Sequence, residues 1–300
     1  MLTKELMREV RRLQIRTRRR VDDLFAGEYH SAFKGRGIEF SEVREYEAGD
    51  DVRAIDWNVT ARAGRPFIKR FVEERQLTVI VAIDVSASGL FASTERLKRT
   101  LATELGAVLA LAATRNNDRA GLLLFGDRVE RFVPPRKGRL HVLRLMRDLL
   151  ECEGEGGGAG RGTDLRVGLE HLVKLHRRRA IVFLVSDFMQ EADGPRGFGA
   201  VLRRTARRHE VVAVRVGDPR EQELPRAGLV DVVDPETGRR ELVDSSSARV
   251  RRWYAQRAGS QEAAVRGACR GARVDLVDVS TARPFVHDLA LYFKRREARR

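Results

Sequence analysis

From residue 77 onward, short apolar strands alternate with segments whose apolar residues repeat at helical spacing. The strands are "LTVIVAIDV" (77–85), "AIVFLVSDF" (180–188) and "EVVAVRVGD" (210–218). The clearest helices are "TERLKRTLATELGAVLALAATR" (94–115), "GRLHVLRLMRDLL" (138–150), "DLRVGLEHLVKLH" (164–176) and "GFGAVLRRTARRH" (197–209). This alternation predicts an α/β fold with a doubly wound, mostly parallel sheet that is covered by helices on both faces.

Turn signals place the remaining strands. "RAGLLLFG" and "RVERFVPP" predict a strand pair that turns at Gly126-Asp127, and "GLVDVVD" and "RRELVD" predict a hairpin around residues 235–238. A long helix through Trp253, the strand "ARVDLVDVS" (272–280) and a helix ending at Phe293 complete the pattern. The glycine-rich segment 151–162 predicts a flexible loop.

The first 76 residues have a different character. Residues 1–25 predict an amphipathic helix, with the apolar positions Leu2, Leu6, Val10, Leu13, Val21 and Leu24. Packing of this stripe on the protein itself is favoured over a membrane surface. Residues 27–76 alternate polar and apolar positions between Gly-Asp and Gly-Arg-Pro turns and predict three short strands. The sequence therefore predicts two regions: an N-terminal helix with a small β-rich module (1–76) and the α/β domain (77–300).

Charge and composition narrow the class of protein. The chain carries 58 basic and 43 acidic residues, a net charge of +15, and 6 % aromatic residues. Basic segments lack interleaved aromatic residues, which disfavours nucleic acid as a partner. The alternative is a basic nucleic-acid or anionic-surface binder, whose candidate residues are Arg11, Arg12, Arg16, Arg18, Arg19 and Arg20.

Cysteine usage and hydropathy bear on the compartment. Cys152 and Cys269 have neither metal-binding nor redox spacing, which predicts a reducing, cytoplasmic setting. The sequence also shows neither a signal peptide nor an apolar run of about 20 residues, so we expect no integral membrane segment.

Oxygen-bearing side chains follow the ends of the predicted strands. Asp84 ends "LTVIVAID", Ser86 and Ser88 lie in the next loop, Asp187 ends "AIVFLVSD", and Thr163 precedes a helix. In open α/β sheets, ligands bind beyond the carboxyl ends of the strands. Carboxylates and hydroxyls are hard ligands, so these five residues predict a site for Mg²⁺, with Mn²⁺ or Ca²⁺ as alternatives.

The pieces "DVSAS", "GTDL" and "VSD" resemble the metal-ion-dependent adhesion site of von Willebrand factor A domains, which have a Rossmann-type fold. By that resemblance, the three hydroxyls contact the ion, the two aspartates act directly or through water, and a partner protein supplies an acidic ligand.

A second resemblance covers nearly the whole chain. Residues 34–71, "KGRGIEFSEVREYEAGDDVRAIDWNVTARAGRPFIKRF", are similar to the signature of the domain of unknown function 58 family. In that family, the signature segment lies just before a von Willebrand factor A-like domain. The resemblance implies work alongside a MoxR-type AAA+ ATPase in chaperone-like assembly. The candidate partner-binding residues in the signature are Asp50, Asp51, Arg53, Asp56, Trp57 and Arg62. The simpler interpretation is internal: Asp-Arg pairs that close turns, with Trp57 as a packing anchor.

An enzyme is not expected. A metal-dependent hydrolase, the third hypothesis, usually carries a second carboxylate two residues after the first, where this chain has Ser86. The sequence has neither a P-loop nor a GxSxG elbow, and its six histidines form no ligand pair.

Overall fold

The computed structural model describes residues 8, 10–15, 17, 38–73, 76–154, 162–190, 197–234 and 237–299. The chain forms two compact units, one of residues 33–77 and one of residues 1–32 with 78–300. The boundary expected at residues 76 and 77 adjoins the end of the smaller unit. The N-terminal segment, which the sequence grouped with the β-rich module, falls in the larger unit, where Val10 and Leu13 are buried.

In residues 38–73 of the smaller unit, two strands and a helix stand where the sequence predicts three strands. Strand β1 (Ile38–Glu45) pairs antiparallel with β2 (Phe67–Glu73), and helix α1 (Trp57–Ala63) lies between them in sequence. The side chain of Asp56 accepts from the first backbone N–H groups of α1, and Gly64 ends the helix in the left-handed conformation at φ 70°. These caps make a helix of a segment whose polar-apolar alternation is typical of a strand.

The main sheet confirms the predicted fold class. In the described part of the larger unit, six strands form one sheet in the order β10-β7-β6-β3-β4-β5. All neighbours are parallel except β4 and β5. The strands are β3 (Thr78–Asp84), β4 (Arg119–Phe125), β5 (Val129–Arg136), β6 (Ile181–Ser186), β7 (Glu210–Gly217) and β10 (Asp275–Ser280). After β3, the chain adds β4 and β5 on one side of β3 and then β6, β7 and β10 on the other side. The strand order therefore reverses beside β3.

The remaining elements lie around this sheet in sequence. The predicted hairpin is present as β8 (Leu229–Val233) and β9 (Arg240–Asp244), which form a separate two-stranded sheet. The helices are α2 (Lys98–Arg115), α3 (Arg139–Gly154), α4 (Leu165–Leu175), α5 (Phe198–Arg208), α6 (Pro219–Gln222), α7 (Ala248–Ala272) and α8 (Phe285–Ala298). Helix α3 therefore extends into the predicted glycine-rich loop, whose residues 155–161 lie outside the described residues.

Helices cover both faces of the sheet, as predicted. Alternate residues of β3, Ile80 and Ala82, belong to a fully buried cluster with residues of α4, α5 and α7. The next residue, Ile83, points to the opposite face, where its Cδ1 would lie 2.7 Å from a Cβ placed at Gly106 of α2. Burial on both faces explains why β3 and β6 are continuous apolar runs without polar alternation.

Close packing at Gly168 sets the distance of α4 from the sheet. A Cβ at this position would lie 2.8 Å from the Phe125 ring, which is completely buried. We expect Gly168→Ala to lower the free energy of unfolding by about 1–2 kcal/mol, because overpacking exceeds the gain in helix propensity. Urea denaturation measures this loss.

Gly267 on α7 provides the matched control, because a Cβ there meets no atom within 4 Å. Gly267→Ala is expected to raise stability by up to about 1 kcal/mol. Equal changes in the two variants would contradict the close approach of α4 to Phe125.

Candidate functional site

The five residues predicted to bind a cation meet at the carboxyl edge of the sheet; we call them the rim cluster (Asp84, Ser86, Ser88, Thr163 and Asp187). The Oγ atoms of Ser86 and Ser88 lie 2.9 Å apart, and Thr163 Oγ1 donates to Ser86 Oγ at 2.8 Å. The backbone N–H of Ser86 donates to Asp84 Oδ1 at 3.0 Å. Three loops that are far apart in sequence thus contribute oxygens to one place.

The loop after β3 is held by a buried arginine. Arg99 Nη2 donates to the carbonyl oxygens of Val85 and Ser86 at 3.0 and 3.2 Å. The backbone N–H of Val85 also donates to Phe125 O at the end of β4. These bonds satisfy backbone groups in a buried loop and fix the direction of the Ser86 hydroxyl.

Thr163 is positioned by the start of α4. Asp164 caps this helix through the Arg166 N–H, and its own N–H donates to Gly126 O at 3.2 Å. Gln190, from the loop after β6, accepts from the Leu165 N–H at 2.8 Å. The loop that carries Thr163 is therefore tied to both neighbouring strand ends.

The two aspartates have different electrostatic settings. Burial, followed by repulsion from Asp187, raises the pKa of Asp84 to about 6, although Ser186 Oγ donates to its Oδ2 at 2.7 Å. Burial also disfavours the charged form of Asp187, but the Lys98 ammonium outweighs it and lowers the pKa of Asp187, helped by a hydrogen bond from Ser88. Asp187 is thus held as an anion, whereas the neighbouring Asp84 carboxyl group is buried without enough favourable contacts to stabilise its charge.

Lys98 is a central residue that the sequence analysis missed. Its side chain is only 2 % exposed, and its Nζ donates to Asp187 Oδ2 at 2.7 Å and to Glu221 on α6. Burial opposes its charge, but the two carboxylates raise its pKa well above the ordinary value. The ammonium therefore balances part of the negative charge next to the rim cluster.

A further buried carboxylate, outside the rim cluster, joins the loops around it. Asp218 begins α6 and accepts hydrogen bonds from the backbone and side chain of Ser93, from Thr281 Oγ1 at 2.7 Å and from the Arg220 N–H at 2.9 Å. It connects the loop after β3 with the ends of β7 and β10. Asp218 therefore holds this edge of the sheet together.

The oxygen atoms of the rim cluster suit a hard cation, and they come from hydroxyls as well as carboxylates. Across the residues that the structure describes, no three His, Cys, Asp or Glu side chains are grouped to hold a metal. The rim cluster offers two carboxylates and three hydroxyls, a combination suited to Mg²⁺ and poorly suited to softer ions. The described histidines that carry buried nitrogens lie elsewhere: His171 contacts Phe132 from the middle of α4, and His176 and His209 precede β6 and β7 at the opposite edge.

The signature residues lie in the smaller unit, where several have internal roles. Asp50 pairs with Arg44 at 2.6 Å, Asp51 caps a short turn, and Asp56 caps α1. Trp57 is 67 % exposed, so it is not a packing anchor. Arg53 and Arg62 are exposed as well. A partner-binding role for these residues stays a prediction.

The basic N-terminal candidates are only partly covered by the structure. Arg11 and Arg12 are exposed on a helical segment. Arg16, Arg18, Arg19 and Arg20 lie outside the described residues. The nucleic-acid alternative thus stays untested. No helix among the described residues has the length and apolar character needed to cross a membrane.

Comparison with known proteins identifies similar chains. The family model described as "Protein of unknown function DUF58" matches residues 42–264. "Uncharacterized protein Rv1480" of Mycobacterium tuberculosis is 32 % identical over 290 residues, covering 96 % of this chain and 89 % of the relative. "Uncharacterized protein MAV169" of Mycobacterium avium is 33 % identical over 166 residues, covering 55 % of this chain and 93 % of the relative.

Solved structures show a similar arrangement at low identity. BatB from Bacteroides thetaiotaomicron has a TM-score of 0.47 at 17 % identity, covering 75 % of this chain and all of that one. The SpRpn10 VWA domain has a TM-score of 0.40 at 12 % identity, covering 71 % of this chain and 93 % of that one. The six-stranded, mostly parallel sheet of this chain, with helices on both faces, is von Willebrand factor A-like, as predicted.

Proposed function

The chain belongs to the family of proteins of unknown function DUF58, and on that premise we propose that it is a protein-interaction module whose rim cluster binds a divalent cation. The observation that carries the proposal is the convergence of two carboxylates and three hydroxyls from three separate loops. A role in a turn or a helix cap explains each residue by itself. It does not explain why the five side chains lie together at one edge of the sheet.

The residues of the rim cluster and their neighbour Lys98 have different roles in the proposed site. Asp84 and Asp187 would hold Mg²⁺ together with the hydroxyls of Ser86, Ser88 and Thr163, directly or through water. When bound, the ion supplies positive charge that attracts an acidic side chain of another protein. Lys98 limits the negative charge of the site, so that a partner carboxylate is not repelled by two free anions.

Exposed apolar side chains beside the rim cluster support a protein partner. Leu90 and Phe91 follow Ser88 in the same loop, Leu97 precedes Lys98, and Met189 lies two residues after Asp187; all four are exposed. Exposed aromatic and methionine side chains are typical of protein interfaces. A polar centre flanked by apolar residues therefore favours binding over catalysis.

The family resemblance adds a candidate partner, a MoxR-type AAA+ ATPase. Capture of this ATPase by the full chain is expected in Mg²⁺ and should be lost in EDTA or on Asp84→Ala. Capture that is unchanged by both treatments would show that the partner binds elsewhere.

Cation binding has a direct test in thermal melting. Millimolar Mg²⁺ is expected to raise the melting temperature of the wild type, because an ion that binds only the folded state stabilises it by about 2.7 kcal/mol at a hundredfold excess over its dissociation constant. Asp84→Ala is expected to abolish the shift. Mn²⁺ and Ca²⁺ in parallel identify the preferred ion.

Asp127 provides the control, since it is an exposed aspartate in the turn after β4. Asp127→Ala should keep the full shift. An equal response of wild type and Asp84→Ala would reject the rim cluster as the cation site.

A further inference from the structure

The hairpin of β8 and β9 exposes apolar side chains on one face. Leu229 is 67 % exposed and Leu242 is 69 % exposed, and the two strands pair only with each other among the described residues. An isolated two-stranded sheet is marginally stable in water. Its free edges are templates for pairing with another strand.

The hydrogen bonds at both ends of the hairpin show which backbone groups point outward. Ser245 N–H donates to Gly228 O at 2.8 Å, and Asp234 N–H donates to Arg239 O at 2.8 Å. Because bonded pairs alternate along an antiparallel ladder, Glu241 and Val243 direct their backbone groups toward β8. The N–H and C=O groups of Arg240, Leu242 and Asp244 therefore point away from the hairpin.

We propose that the outer edge of β9 pairs antiparallel with β9 of a second copy of this chain. A pair centred on Leu242 sets Leu242 against its equivalent and Arg240 against Asp244 of the second copy, twice by symmetry. In this register, the outward backbone groups of all three residues find partners. The same register joins the exposed leucines and pairs opposite charges on one face.

The charge pattern selects β9 over β8 as the pairing edge. The equivalent self-pair of β8 sets Asp231 against Asp231, and like charges directly opposite are destabilising. Pairing β9 with β8 of a second copy is a head-to-tail contact that leaves one edge of each hairpin open. Only the β9 pair is both closed and complementary. Arg240 is already held on this face by Asp231, at 3.5 Å.

Analytical ultracentrifugation of the full chain over a range of concentrations tests the proposal. The wild type is expected to dimerise, and Leu242→Lys to raise the dimer dissociation constant at least about tenfold, because it sets two lysines against each other. Leu229→Lys is the matched control: it has nearly the same exposure on the same face, but lies on β8. It should dimerise as the wild type does.

A charge exchange tests the register. Arg240→Asp and Asp244→Arg should each weaken the dimer, and the double variant should bind more tightly than either single variant, because the opposite charges face each other again. Circular dichroism confirms that each variant is folded. Asp84→Ala should dimerise normally, so the result is independent of the proposed cation site.

Three outcomes overturn the proposal. They are a monomeric wild type at every concentration, an equal effect of Leu229→Lys and Leu242→Lys, and a double charge variant that binds no more tightly than the tighter of the two single variants.

Discussion

Lys98→Met is expected to lower the free energy of unfolding by about 3–5 kcal/mol at pH 7, because removing one partner of a buried ion pair leaves an uncompensated charge. The ammonium lies between Asp187 and Glu221, and the three side chains are largely buried. Without it, the two carboxylates face each other with no positive charge between them. Chemical denaturation of wild type and variant measures the loss.

The loss should depend on pH in a defined direction. Burial already raises the pKa of Glu221, and removal of Lys98 would raise it further. Removal would also raise the pKa of Asp187, which the ammonium lowers in the wild type. Groups whose pKa values are raised by folding destabilise the native state once they are ionised. The difference between wild type and Lys98→Met should therefore shrink as the pH falls from 8 to 5.

Lys174→Met is the control for the loss of a lysine charge, since Lys174 is exposed and lies 3.6 Å from Glu170. A change of at most about 0.5 kcal/mol is expected for an exposed pair of this kind. If Lys98→Met is no more damaging than Lys174→Met, the buried ammonium has no structural role.

Asp218→Ala is expected to cost about 2–4 kcal/mol, because a buried hydroxyl that loses its acceptor costs about 1–3 kcal/mol and a lost helix N-cap costs about 1 kcal/mol. The buried hydroxyl is that of Thr281; Asp218 also caps α6 and accepts from the backbone and hydroxyl groups of Ser93, which is exposed. Urea denaturation gives the loss.

The pH dependence of this contribution follows from the carboxyl group. Burial opposes the charge of Asp218, but the hydrogen bonds from Ser93 and its neighbours outweigh it and lower the pKa below the ordinary 3.8. Stability from this group is therefore present above the ordinary pKa and is lost as the pH falls through the lowered value. The difference between wild type and Asp218→Ala should be constant from pH 5 to 8.

Asp234→Ala is the matched control, because Asp234 also accepts from a backbone N–H and a hydroxyl, both of Thr237, but is exposed. Water replaces such bonds at little cost, so the loss should be below about 1 kcal/mol. Similar losses for Asp218→Ala and Asp234→Ala would mean that burial does not set the cost.

The sequence was sufficient to predict the sheet and the oxygens of the rim cluster. Buried parallel strands leave continuous apolar runs, and a residue that ends such a run must lie at the carboxyl edge. Asp84 and Asp187 could be placed by this logic alone. Thr163 followed because the helix after it was clear from its apolar spacing.

Lys98 and the helix α1 could not be predicted in the same way. Lys98 is one of several basic residues near the start of α2, and its partners lie 89 and 123 residues later in the chain. Only the tertiary fold selects it over its neighbours. In α1, Asp56 and Gly64 were interpreted as turn residues, although each is also a helix cap.

The smaller unit interrupts the larger one in sequence. Its two strands, β1 and β2, are paired along their length, with Ile38 opposite Glu73. Loop-closure entropy grows only slowly with the length of an insertion. We therefore expect that insertions between β1 and β2 leave the fold of the larger unit unchanged.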